Sequence, residues 1–417
     1  MAGVLGRPRW DAVFGTKGPV LDAPGEWQAR NADDGRAGLR STAGDRRESI
    51  LSGEPRRGQE EPGKPFFNRF SAGPQTRSAT MADTMTQTLE PPNGQERAAN
   101  PPAPPPAPVS FAQEQLWLLD QLIPQRRTYN VPGRFLLRGD LDRELTGRVL
   151  HELMDRHQAL RTALVEEDGD VWQHVSPVAQ LPLPLTWHDL RDLPLPQRAE
   201  REQEFAHREA DKPFDLDRAP LWRAVLLRTA DQEHVLLLTL HHIITDGWSI
   251  QLLLEEFCAL YAALAHGLPN PLAPLTGSPS AAARRQREQL RTGGLDRERD
   301  YWRAVLDGAP ATMPVLAGRP RPARPSYRGE AVEFTVPAET VARAEQLGRR
   351  LRASPFMVYL AAFKTVLLRY TGRTDIVVGT PTAGRTEAED EPLFGFFVNS
   401  LPLRTDLSGS PSFTDAV

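Results

Sequence analysis

Residues 233–265 constrain the fold of this chain more than any other stretch. "EHVLLLTL" (233–240) has strand length and is apolar at consecutive positions. Neighbouring side chains on a strand point to opposite faces, so such a run buries both faces and belongs inside a sheet covered on both sides. After "HHIITDGW" the period changes. Ile250, Leu253, Leu254, Phe257, Leu260, Tyr261 and Leu264 recur at helical spacing, and Gly267 supplies a left-handed stop. A buried strand that leads straight into a long helix with an apolar face requires a layered α/β (α+β) architecture.

The same alternation extends in both directions. Ser110 caps a short helix with Leu116, Leu119 and Leu122 at helical spacing. "GRFLLRG" (133–139) reads as a strand. From Asp142 a helix places Leu145, Val149 and Leu153 on one face, with Leu150, Met154 and His157 beside them. "RTALVEEDGDVWQHV" reads as two strands around an acidic-glycine turn, followed by a helix over about 197–211 and the strand "LWRAVLLRT".

"LPNPLAPLTGSPS" (268–280) reads as a linker to a second block. That block holds the helix "DRERDYWRAVLDG", a Pro/Arg-rich loop and the strand "GEAVEFTV". A helix opened by Ser354 and Pro355 follows, with Phe356, Leu360, Phe363, Leu367 and Tyr370 as its expected buried stripe. "DIVVGTP" and "FGFFVNSLPLR" supply further strands. Two lobes are expected, over 109–283 and 284–417. Residues 1–108 lack any sustained period and end in a proline-rich run, which predicts a disordered extension. Met81 and Met85 are alternative starts, and on that reading 1–80 is a start-codon artefact.

The formal charge of −4, with acids interspersed among the arginines, gives no reason to expect nucleic acid as a partner. Cys258 is the one cysteine, which excludes an internal disulfide and fits a reducing compartment. It falls on the apolar side of a helix and reads as a core residue. No secretory h-region and no apolar run near the roughly 18 residues of a membrane span are read in the chain, so a cytoplasmic location is expected.

The chemistry-bearing segment is "HHIITDG" (241–247). If the strand continues through them, His241 and His242 face opposite sides, which disfavours a chelating pair and hence a metal. One histidine then packs in the core. The other, at the end of a buried strand, can accept a proton or hold an attacking group. Gly247 offers a backbone without a Cβ where a substrate must come close. Asp246 is open to three roles: helix cap, triad-type orienter, or half of a buried ion pair. Arg156 and Arg161 are the candidate cations, and Arg161 enters the strand expected beside the core, where a buried arginine requires an acid.

Six ordered blocks over 109–417 resemble the condensation domains of nonribosomal peptide synthetases: "SFAQEQLWLLDQL", "TYNVP", "RHQALRT", "HHIITDG", "YWRAVL" and "FGFFVNSLPLR". The resemblance implies two chloramphenicol acetyltransferase-like lobes in a V around a tunnel. Upstream and downstream peptidyl carrier domains would insert phosphopantetheine arms there, with an adenylation domain as a further partner. It implies no cofactor bound by the domain itself, and peptide-bond formation by attack of a carrier-bound amine on a carrier-bound thioester. His242 would be catalytic. His241 would pack, Asp246 would anchor to Arg161, and Gly247 would keep the tunnel wall low, its N–H an oxyanion donor. Trp248, Ser249 and Asn399 would line the tunnel. The opening blocks are similar to those of domains that join an L-configured donor to an L-configured acceptor.

Relatives of this type continue beyond the fifth block, so a C-terminally truncated second lobe is expected, with an exposed sheet edge. Two other functions compete: a non-catalytic docking remnant, and a free-standing acyltransferase using coenzyme A thioesters.

Overall fold

The computed structural model describes residues 9–13, 104–123, 126–313, 327, 332 and 334–417. In chain order the first elements are β1 (Arg9–Val13), β2 (Ala107–Pro108), α1 (Phe111–Leu122), β3 (Asn130–Arg138) and α2 (Arg143–Arg156). Strands β4 (Thr162–Glu167), β5 (Asp170–Val175) and β6 (Leu185–Asp189) precede α3 (Leu195–Asp211). Strands β7 (Trp222–Ala230) and β8 (Glu233–His241) lead into α4 (Gly247–Ala265). Then come α5 (Pro279–Arg291), α6 (Asp296–Leu306), α7 (Ala338–Leu351), α8 (Pro355–Thr371), β9 (Asp375–Thr382), β10 (Asn399–Asp406) and α9 (Phe413–Ala416).

Strand β8 lies inside a five-stranded sheet of order β1-β3-β8-β7-β6, as its unbroken apolar run requires. Its neighbours β3 and β7 are antiparallel to it, while β6 runs parallel to β7. The two faces separate by residue parity. Ala224, Leu226, Leu236, Leu238 and Leu240 pack with Val149, Leu153 and Met154 of α2 and with Ile250, Phe257 and Leu260 of α4. Val225, Leu227, Val235 and Leu237 pack instead with Leu190 and with Phe205 of α3. A second sheet has the order β2-β5-β4, and β9 pairs antiparallel with β10 in a third.

Local signals account for most of these boundaries. Ser110 closes a capping box with Gln113, and Asp142 caps α2 through the Leu145 N–H. Asp168 and Gly169, both at positive φ, make the turn between β4 and β5. Ser354 caps α8, and Gly372, left-handed at φ 65°, ends it.

Several expectations need correction. Helix α5 occupies part of the expected linker, and the expected boundary at 283/284 falls within it. Its core-facing side is built from Ser280 and Ala283 in an otherwise polar sequence, so no apolar stripe announces it. Half of the expected strand 329–336 lies outside the described residues, and those described there carry no strand. In "FGFFVNSLPLR" pairing begins only at Asn399.

Helix α8 buries Val358, Ala361, Lys364 and Leu367, with Leu367 alone shared with the expected stripe. Phe356, Phe363 and Tyr370 are exposed. Tertiary contact explains the rotation: Lys364 Nζ donates to the Leu403 carbonyl at 2.9 Å and to Thr405 Oγ1, fixing which face meets β10. Leu122 of α1 is likewise exposed, and polar Gln113 and Asp120 are buried in its place. Of the extension 1–108, β1 pairs with the free edge of β3 by backbone hydrogen bonds, which need no side-chain period, and β2 adds to β5. Most of the rest of 1–108 lies outside the described residues.

Helix α4 is long and apolar enough to cross a membrane, unlike anything read from the sequence. Ile250, Leu253, Phe257, Leu260 and Tyr261 instead bury it in the main core. Cys258 is partly buried on α4, and burial pushes its thiol up to about 12, consistent with a packing role.

Candidate active site

Strand β8 ends at His241, and His242 opens a single 3₁₀ turn, His242–Ile244, before α4. The two rings part company, but at the end of the strand rather than by alternation along it. His241 is fully buried, edge-on to Tyr129 and Phe214. Its Nδ1 accepts the Ile243 N–H at 3.2 Å.

The His242 N–H is held by the Tyr129 carbonyl at 2.8 Å. His242 Nδ1 lies 2.7 Å from the Thr245 carbonyl oxygen. A carbonyl can only accept, so Nδ1 is the donor, and in the neutral ring Nε2 is the nitrogen with the lone pair. The ring is only partly buried and packs edge-on against Phe396 at 5.1 Å between centroids. Phe396 belongs to the segment between β9 and β10, so the second half of the chain closes over this histidine.

Asp246 combines two of its possible roles. It caps α4, with Oδ1 accepting the Ser249 N–H at 2.8 Å. It is also half of a buried ion pair, but the cation is Arg385, not Arg161. Arg385 Nη1 donates to Asp246 Oδ2 at 2.9 Å and Nη2 to Oδ1 at 3.3 Å, with both side chains almost wholly buried. The Phe397 N–H adds a donor to Oδ2 at 3.1 Å. Arg385 follows Gly384, whose φ is 64° and whose Cβ would lie 1.8 Å from the Phe397 carbonyl oxygen; only glycine fits there.

Arg161 sits at the end of a 3₁₀ turn, Gln158–Arg161, outside strand β4. Its guanidinium donates to the carbonyls of Met154 at 2.8 Å, Ser176 at 2.6 Å and Asp155 at 3.0 Å. The last carbonyls of α2 lack intrahelical donors, so they satisfy the arginine without any acid. Burial lowers its pKa, with Asp155 opposing the shift. Arg156, the other candidate cation, pairs with Glu256 at 3.1 Å.

The remaining expected site residues are dispersed. Ser249 is fully buried rather than lining a tunnel. Its hydroxyl donates to the Gly395 carbonyl at 2.8 Å and accepts from the Gly395 N–H at 3.0 Å and Arg385 Nη2 at 2.9 Å. Trp248 is 42% exposed, with its indole N–H on the Glu391 carbonyl at 2.9 Å and its ring beside the Arg385 guanidinium. Gly247 is exposed at the first position of α4, and a Cβ there would meet nothing within 4 Å. Asn399 is exposed at the start of β10 opposite Thr382, with its side-chain oxygen on the Ser400 N–H.

Sequence reasoning missed Arg385, Gln113 and Asp120. No local pattern marks Arg385. Gln113 and Asp120 lie seven residues apart on one face of α1, and that spacing was readable.

The condensation-domain family profile matches residues 106–417. The chain is 44% identical over 308 residues to one of the linear gramicidin synthase polypeptides of Brevibacillus parabrevis, across 74% of this chain but 4% of that synthase. The solved structure of SgcC5 from Streptomyces globisporus is 32% identical with a TM-score of 0.61, covering 74% of this chain and 70% of that one. The first condensation domain of the calcium-dependent antibiotic synthetase has the same TM-score at 24% identity, over 75% and 72% of the two chains, and shares the fold.

Proposed function

The chain belongs to the condensation-domain family of nonribosomal peptide synthetases, and from that premise we propose that it joins two carrier-bound substrates by an amide bond. The amine of an acceptor attacks the thioester carbonyl of a donor, each delivered on the phosphopantetheine arm of a peptidyl carrier domain. The observation that supports this reading is the 2.7 Å contact of His242 Nδ1 with the Thr245 carbonyl, which in the neutral ring requires the proton on Nδ1 and leaves Nε2 as an acceptor at the mouth of α4.

Nε2 accepts a proton from the attacking nitrogen as the carbon–nitrogen bond forms. The tetrahedral oxyanion then collapses and expels the donor thiolate, which takes up the proton held on Nε2 and returns His242 to its neutral form. At the start of α4 the Ser249 N–H is taken by Asp246 Oδ1 and the Ile250 N–H by the Asp246 carbonyl, which leaves the Gly247 and Trp248 N–H groups to meet a developing negative charge. Asp246 is too engaged by Arg385, Ser249 and Phe397 to relay a proton; its part is to hold the turn and to fasten the second half of the chain to it. The domain itself binds no cofactor, works in the cytoplasm beside an adenylation domain, and takes an L-configured donor and acceptor.

The test is turnover of the chain with donor and acceptor carriers loaded by amino-acyl phosphopantetheine, read as product mass. Product that depends on His242 and on both carriers is expected, with an L-donor preferred over its D-epimer. Carrier binding without any product overturns the catalytic reading in favour of a docking module. Coenzyme A thioesters reacting as well as carrier thioesters would identify a free-standing acyltransferase.

A further inference from the structure

Helix α1 places two buried polar side chains against the turn that carries His242. Gln113 is 5% exposed and Asp120 2% exposed. The Gln113 amide has a fixed orientation, because its Oε1 accepts the Ser110 N–H at 3.0 Å and must therefore be the oxygen. Its Nε2 then donates to the Ile243 carbonyl at 3.3 Å. Two turns along, Asp120 Oδ1 lies 3.7 Å from His241 Nε2, too far for a hydrogen bond, so the carboxylate acts on that ring edge through its charge.

The Ile243 N–H occupies His241 Nδ1, so the ring proton of neutral His241 is on Nε2, facing the Asp120 carboxylate. Ile243 is thus held at both backbone groups: its carbonyl by Gln113 directly, and its N–H by a histidine whose tautomer Asp120 favours. Ile243 directly follows His242, inside the turn that His242 Nδ1 closes on Thr245.

Buried polar side chains on a helix face that could have been apolar are costly unless their partners are specific. We propose that Gln113 and Asp120 are positioning residues for His242, acting through Ile243 and His241 to keep Nδ1–H on the Thr245 carbonyl and Nε2 free. Neither residue touches substrate. This inference rests on the condensation reading for its effect on rate, but not for its effect on the imidazole.

The experiment uses the full chain labelled with ¹⁵N-histidine, at about pH 8 where exposed histidines are neutral. Tautomers are read from two-bond proton–nitrogen correlations, with the His242 signals assigned by their loss in His242→Gln. In the parent chain His242 is expected to show a protonated Nδ1 and a bare Nε2. In Gln113→Met and Asp120→Leu the His242 signals should shift toward mixed tautomers while circular dichroism is retained. Asp120→Asn keeps an acceptor toward His241 and should restore the parent pattern.

Turnover with loaded carriers should fall about 10- to 100-fold in the first two variants, with KM unchanged. Folded Gln113→Met and Asp120→Leu proteins with the parent His242 spectrum overturn the inference. If Asp120→Leu does not fold, Gln113→Met decides by the same criterion. Failure of both to fold overturns it in favour of a role in stability alone. A parent chain without turnover sinks the condensation reading, while the tautomer result stands by itself.

Discussion

Arg385 and Asp246, 139 residues apart in the chain, meet as a buried ion pair at 2.9 Å at the N-terminus of α4. The pair joins the β9–β10 connection to the histidine turn, and Ser249 and the Phe397 N–H add further hydrogen bonds to it, while Arg385 Nε has no described partner. Removing one member strands the other charge away from water, which is worse than removing both.

Arg385→Met and Asp246→Asn should therefore each lower unfolding stability by about 3–5 kcal/mol. Chemical denaturation of the two single variants and the double variant should give a coupling energy of about 0.5–3 kcal/mol. The same cycle with Arg161→Met in place of Arg385→Met should give none. Coupling between Asp246 and Arg161 would contradict the observed geometry.

His242→Ala should reduce turnover with loaded carriers by about 10²–10⁴-fold, the usual worth of a positioned acid–base group. Its thermal midpoint should stay close to that of the parent, because the ring is only partly buried. His241→Ala should behave in the opposite way and destabilise first, since the ring is fully buried and accepts the Ile243 N–H.

Gly247→Leu tests the need for open space beside the histidine. A Cβ at this position meets no atom within 4 Å, and a non-glycine residue is favoured inside a helix by about 1 kcal/mol. Unchanged or slightly raised stability is expected, together with lost turnover. Full turnover in a folded Gly247→Leu protein would show that no substrate passes there.

Ser249→Ala removes the hydroxyl that bridges Gly395 and Arg385. A loss of about 1–3 kcal/mol is expected from the buried groups left unpaired. Denaturant midpoints measure it, and no change would mean that this contact contributes little to closure.

His234 predicts a pH dependence unrelated to catalysis. Burial first, then Arg228, holds its imidazole below the ordinary 6.5, and neither ring nitrogen has a described hydrogen-bond partner. A depressed folded pKa means that the unfolded chain binds the proton more readily. The stability contribution is complete above about pH 6.5 and is lost as pH falls from there through the lower folded value. His234→Leu should flatten the stability profile in that window, as measured by midpoints across a pH series.

Much of the fold was legible in local pattern. The unbroken apolar run of β8 required cover on both faces, and α3 on one side with α2 and α4 on the other supply it. Ser110, Asp142, Ser354 and Gly267 marked helix ends because caps are short-range hydrogen bonds and backbone angles. Helix α5 escaped because two small residues suffice to pack it, and the buried face of α8 was misread because Lys364, not an aromatic residue, reaches β10.

By itself the sequence determined the β8–turn–α4 unit and the order of the motif blocks, while His241 and His242 part because the strand ends between them, not by the alternation read from the sequence. Only the tertiary structure decided the partner of Asp246, the carbonyl cage of Arg161 and the support that α1 gives the histidine turn. A buried charge requires a partner, but the choice among many arginines depends on which distant segment folds back within 3 Å, and no local periodicity carries that information.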